Sequence, residues 1–156
     1  MAVVRIGAET MLEFYYVPLY NVVLEATDGS GNAIVENYVA IRFGVKYNEN
    51  DVAVIKGLED EMTYTINEFL PEHCGVSPSG DAWRIFKGHL LHAGPRDPKM
   101  GCYMYGCVGI CNGKTAELNE KLLLYSNAKT GQLLAKSGKF KIHVEAASKP
   151  PLVRKN

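Results

Sequence analysis

Asn21-Val-Val-Leu-Glu-Ala-Thr27, Asp28-Gly-Ser-Gly-Asn32 and Ala33-Ile-Val-Glu-Asn-Tyr-Val-Ala-Ile-Arg-Phe-Gly-Val45 form the stretch that decides the fold. Two runs rich in β-branched residues flank five residues that tolerate a left-handed backbone, the pattern of a β-hairpin. Towards its end Val39, Ile41, Phe43 and Val45 alternate with Ala40, Arg42 and Gly44. A period of two predicts one continuous strand over residues 33–45, one face buried and Arg42 on the other.

Outward from the hairpin, the same reading covers the rest of the chain. Residues 1–20, interrupted by Glu9, Glu13 and Pro18, fit one or two edge strands. Residues 52–55 are a short apolar run, and residues 62–69 alternate again. Residues 71–80, with Pro, Gly, Ser and the pair His73-Cys74, read as an exposed loop. Residues 82–86 and 89–92 suit short strands about the Lys87-Gly88 connection. Thr115 to Lys129 is the one helix expected, with Thr115 as N-cap, Glu117 in its first turn and Gly131 past its end. Leu118, Leu122 and Tyr125 share a face. Residues 139–145 alternate Phe140, Ile142 and Val144 with Lys141 and His143, a strand. The fold class is therefore mainly β: a mixed sheet or β-sandwich with one main helix. Its domain is expected over residues 1–146, with 147–156 as a frayed tail.

Composition narrows the function. Seventeen basic and seventeen acidic side chains cancel, and no basic run stands out, so nucleic acid is not an expected partner. No apolar run approaches the roughly 18 residues of a membrane span. The first ten residues lack the pattern of a secretory leader. Synthesis in the cytoplasm and a specialised export route are expected for any action in the periplasm or cell wall. Four cysteines do not force a disulfide framework, although one bridge among Cys102, Cys107 and Cys111 is open on spacing.

Chemistry concentrates in residues 86–111, which hold two of the four histidines and three of the four cysteines. A short apolar run carries His92 into an Ala-Gly-Pro turn, and Gly106-Cys107 follows fifteen residues after His92. A cysteine nucleophile needs a base to form its thiolate and backbone N–H groups to hold an oxyanion. His92 and Cys107 are the candidates. Cys102 also follows a glycine and is the rival nucleophile. A structural zinc site could draw on His89, His92, Cys102, Cys107 and Cys111, but the cysteine spacings of five and four do not match paired knuckles. His143, on the charged face of its strand, reads as solvated, and Trp83 as a core anchor. A β-rich binding module with an inert Cys/His cluster is the non-enzymatic alternative.

The sequence Leu90-Leu-His-Ala-Gly94, then Gly106-Cys-Val-Gly-Ile110, a helix and a closing Gly138-Lys-Phe-Lys-Ile142 strand resembles the L,D-transpeptidase catalytic domain, in a divergent short bacterial or phage-associated branch. The resemblance covers residues 20–146, its specific part residues 86–111. It implies Cys107 as nucleophile and His92 as general base, with Gly106, Gly109, Tyr105 and Gly94 supporting the oxyanion and the turn. It implies acyl transfer or hydrolysis at L,D bonds of peptidoglycan stem peptides, without metal or organic cofactor. It also implies an immunity protein as partner if the chain is a delivered antibacterial effector. The family's usual histidine two before the cysteine is Tyr105 here, and its arginine two after is Gly109. Substrate anchoring then falls to Arg42, Arg84 or Arg96.

Overall fold

A computed structural model describes residues 1–6 and 13–156. The architecture is strand-rich with one main helix. The expected hairpin is present: β3 (Leu19–Thr27) pairs antiparallel with β4 (Ala33–Ile41), from Leu19 opposite Ile41 to Thr27 opposite Ala33. Asp28 makes the turn, its carboxylate accepting from the N–H groups of Ser30 and Asn32 at 2.9 and 2.8 Å.

The single strand expected over residues 33–45 is instead two. It breaks after Ile41, and β5 (Gly44–Tyr47) turns away to pair with β6 (Ala53–Lys56). Arg42 sits at the break, donating to the carbonyls of Leu58 and Glu145. Phe43, Gly44 and Val45 are all buried, so alternation fails where protein covers both faces of the chain.

Four further strands complete the main sheet's neighbourhood. The run expected over residues 62–69 divides into β7 (Met62–Thr65) and β8 (Phe69–Leu70), with Ile66 fully buried between them. β9 (Ala82–Phe86) and β10 (His89–Ala93) follow, joined at Lys87-Gly88. Near the N-terminus, β1 (Ala2–Ile6) and β2 (Glu13–Val17) are not edges but the centre of a four-stranded sheet. The part of that expectation covering residues 7–12 lies outside the described residues. A single 3-10 turn (Pro98–Met100) leads to β11 (Cys102–Tyr103), and β12 (Val108–Ile110) comes next.

The helix α1 runs Thr115–Ser126 and ends on Asn127 in the left-handed conformation. Thr115 is its first helical residue and is buried; Lys114 occupies the cap position with no side-chain bond. A short second helix, α2 (Gly131–Ser137), was not expected. It starts at the glycine read as a stop signal, because Thr130 caps it by accepting from the Leu133 N–H. β13 (Lys141–Val144) pairs with β7. The tail expected to fray carries β14 (Val153–Lys155), which extends the four-stranded sheet beside β2.

The six-stranded sheet has the order β3-β4-β12-β10-β9-β8, and the four-stranded one β11-β1-β2-β14. Two cores result. In the first, Trp83 packs tilted against Phe69 and edge-on against Phe140, with ring centroids 4.6 and 5.0 Å away, together with Leu118 and Leu134 of the helices. The second gathers Val4, Val17, Phe43, Val45 and Met104. Among the described residues no helix is long and apolar enough to cross a membrane.

Candidate active site

Cys107 and His92 arrive on neighbouring strands. β10 and β12 run parallel, with His92 opposite Gly109 and Leu91 opposite Val108. Cys107 stands just before β12, so its Cα lies one rung across and two residues back from His92, about 8 Å away by strand geometry. The connection between these parallel strands passes through the 3-10 turn and a strand of the other sheet.

At the head of β12 the ladder changes partners. The Gly94 N–H donates to the Ile110 carbonyl at 2.8 Å. Stepping back by twos along a parallel ladder brings the Leu90 N–H to the Gly106 carbonyl. Instead Leu90 donates to the Cys107 sulfur at 3.4 Å. The Gly106 carbonyl accepts from His89 Nδ1 at 2.9 Å. The sulfur thus sits in the ladder between the strands, and its thiol donates to the Gly88 carbonyl at 3.6 Å. Gly106 makes this turn with φ +99, and a Cβ there would meet the Lys56 backbone at 2.9 Å.

The electrostatics follow. Burial pushes the Cys107 thiol above the ordinary thiol range, and the Leu90 N–H pulls it part of the way back. Burial holds the His92 pKa below that of a free imidazole, the Ala93 carbonyl opposes this, and nearby His73 adds to the lowering. His92 Nδ1 lies 2.7 Å from the Ala93 carbonyl. A carbonyl only accepts, so Nδ1 carries the proton and Nε2 keeps the lone pair a base needs. No hydrogen bond joins His92 to Cys107: the sulfur is held by Leu90 and Gly88, the imidazole by Ala93.

No protein-family model matches this chain, and no curated protein or solved structure is significantly similar to it. The site therefore stands on its own geometry.

The supporting residues divide. Gly94 and Gly109 face one another across β10 and β12; a Cβ on Gly94 would lie 2.8 Å from the Gly109 backbone. Both serve strand contact. Tyr105 is half-exposed and packs edge-on against Tyr103, with centroids 4.5 Å apart. Burial pushes its hydroxyl up to about 12. Two of the three candidate anchoring arginines are engaged within the fold. Arg42 is taken up by Leu58 and Glu145, and Arg84 binds Glu68 at 2.6 Å and the Lys87 carbonyl. Arg96 stays exposed beside Gly113, with no ion-pair partner among the described residues.

The rivals scatter. Cys102 belongs to the other sheet, opposite Val4, its thiol pushed up to about 11 by burial. Cys111 is fully buried in the second core. All four cysteines are free. Among the described residues no three His, Cys, Asp or Glu side chains converge as metal ligands. His143 pairs with Thr63 and Glu61 on the outer face of β13.

Two neighbours were missed in the sequence. His73 and Cys74 lie in the exposed loop of residues 71–80, yet that loop folds back on the end of β10. Burial raises the Cys74 pKa, Cys107 adds to the rise and the Ala93 backbone opposes it, while His73 acts on His92. The loop is tied down by buried groups. Asp81 accepts from the Glu72 N–H and Ser77 hydroxyl, and Asn119 of α1 donates to the Pro78 and Asp81 carbonyls while accepting from Trp83 Nε1. These contacts span up to 41 positions, so no local pattern announces them.

Proposed function

We propose that the chain is a cysteine-dependent acyl-transfer enzyme acting on L,D peptide bonds of peptidoglycan stem peptides. Cys107 is the nucleophile and His92 the base. The observation that carries this reading is the parallel β10–β12 pair, which sets His92, with Nε2 holding no hydrogen bond among the described residues, on the strand beside a half-buried thiol that accepts a backbone N–H. Substrate entering beside Gly88 displaces the thiol from that carbonyl. The thiol then swings toward His92, and its proton passes to Nε2 as sulfur attacks the scissile carbonyl. The imidazolium returns the proton to the leaving amine of the terminal D-amino acid, leaving a thioester. Water completes a carboxypeptidase cycle, and an amine completes a transpeptidase cycle.

Action in the periplasm or wall, delivery as an antibacterial effector and an immunity partner belong to the same proposal. So does substrate binding at Arg96, the candidate arginine without an ion-pair partner among the described residues.

A binding module with an inert thiol is the second reading, favoured by the raised Cys107 pKa and the unformed His92 contact. Incubation with muropeptide tetrapeptides separates the two. Loss of the terminal D-amino acid or formation of cross-linked dimers is expected, and neither with Cys107→Ala. Turnover that survives the substitution removes Cys107 from the chemistry, and no turnover by the wild-type chain leaves the binding module.

A further inference from the structure

We propose that the free edge of β3 is a dimer interface, pairing antiparallel with β3 of a second copy about a two-fold axis at Val23. This stands independently of the catalytic reading.

The fold's edges are unequal. In the four-stranded sheet the edges are β11 and β14, of two and three residues, and the far edge of the six-stranded sheet is β8, of two. The two-stranded sheets expose strands of four. β3 has nine residues and, among the described residues, pairs only with β4. Long edges are normally blunted by lysine, proline or a bulge. Residues 19–27 contain no proline, no basic residue and a single charge, Glu25. The β3–β4 register runs through all nine pairs without a shift.

The backbone groups that face outward can be assigned. The Asp28 N–H donates to the Asn32 carbonyl at the hairpin end. Bonded pairs alternate in an antiparallel ladder, so Ala26, Leu24, Val22 and Tyr20 spend their N–H and C=O groups on β4. On the far side of β4 the Val39 carbonyl accepts from Cys111, which gives the same parity. Leu19, Asn21, Val23, Glu25 and Thr27 therefore direct their backbone groups away from the sheet.

A two-fold at Val23 satisfies all of them at once. It sets Val23 against Val23, Asn21 against Glu25 and Leu19 against Thr27, always one outward residue against another. Glu25 meets an amide donor rather than its own copy. Val22 meets Leu24, and both already pack partly against the first core, so the second copy continues that apolar layer. On the other face Val23 and Val35 are about half exposed and lie diagonally across β3 and β4.

Sedimentation velocity of the full chain over a concentration series tests the interface. A concentration-dependent dimer is expected. Val23→Lys sets two ammonium groups together at the axis and leaves a monomer with unchanged circular dichroism. Asn21→Glu, on an exposed position that any polar residue can occupy, puts carboxylates opposite one another twice and weakens the dimer roughly tenfold. Asn21→Lys faces Glu25 and tightens the dimer by a similar factor, an effect that salt removes. A wild-type monomer at every concentration overturns the proposal. So does a dimer indifferent to both substitutions at position 21.

Discussion

Cys107 holds its proton in the resting protein. Burial raises its pKa above the usual 9, and no imidazole is placed to lower it. A thiol whose pKa is raised is neutral below that value, so the thiolate is the minor form at neutral pH. In a Cys74→Ser background, alkylation of Cys107 is expected to rise close to tenfold per pH unit up to the ordinary thiol range, with no plateau before it. His92→Gln is expected to leave that rate unchanged, since no hydrogen bond joins the two side chains, and, on the proposed reaction, to abolish turnover. A plateau near neutral pH that disappears with His92→Gln would mean that a thiolate–imidazolium pair already exists, contrary to the geometry. The proposed reaction therefore needs substrate to break the Gly88 contact before the thiol becomes reactive.

The element on which this depends is the parallel pair of β10 and β12. Gly94 and Gly109 leave no room for a Cβ between the two strands, and the Gly109 backbone cannot move aside as a side-chain end could. Gly94→Ala is expected to destabilise the fold by about 2 kcal/mol and to reduce turnover of what remains folded, because it shifts His92 relative to Cys107. Gly29→Ala, at a turn with nothing within 4 Å, is the control with no cost. Urea unfolding of both variants decides; equal stabilities would show that the strand contact is loose. Local elements of this kind were readable in the sequence. Asp28 to Asn32 announced the hairpin, Phe140, Ile142 and Val144 announced β13, and Leu118 and Leu122 announced the face of α1. The parallel pairing itself carried no periodic signature, because its strands are three to five residues long. The breaks after Ile41 and Thr65 were illegible for another reason. At the first, Phe43, Gly44 and Val45 are buried in succession between covered faces, whereas at the second Ile66 still alternates with exposed Thr65 and Asn67, so the pattern runs through the break without marking it. His73 and Cys74 reach the site only through the Asp81 and Asn119 bonds, which join positions far apart in sequence.

At the scale of the molecule, the two cores share strands. In β4, Tyr38 and Ala40 belong to the first core, while Ile41 faces the second. At the end of β12, Ile110 packs in the first and Cys111, the next residue, in the second. Neither core can open without exposing the seam of the other, so unfolding is expected to be a single transition. Phe43→Ala probes this most directly. Phe43 is fully buried in the second core, whereas Trp83, the only tryptophan, is in the first. The substitution removes a ring from a packed site and costs about 4 kcal/mol. Trp83 fluorescence should report that loss in full, with a midpoint that coincides with the one seen by far-ultraviolet circular dichroism. A Trp83 signal that lags behind the loss of strand structure would mean that the second core melts alone. The seam also bears on the site, since Cys102 and Met104 of the connection to Cys107 pack in or against the second core, and Val108 packs against the first. Loosening at Phe43 is therefore expected to quicken Cys107 alkylation at fixed pH well below the unfolding midpoint, as the Leu90 and Gly88 contacts open with the seam. An unchanged alkylation rate in Phe43→Ala would uncouple the thiol from the packing of the second core.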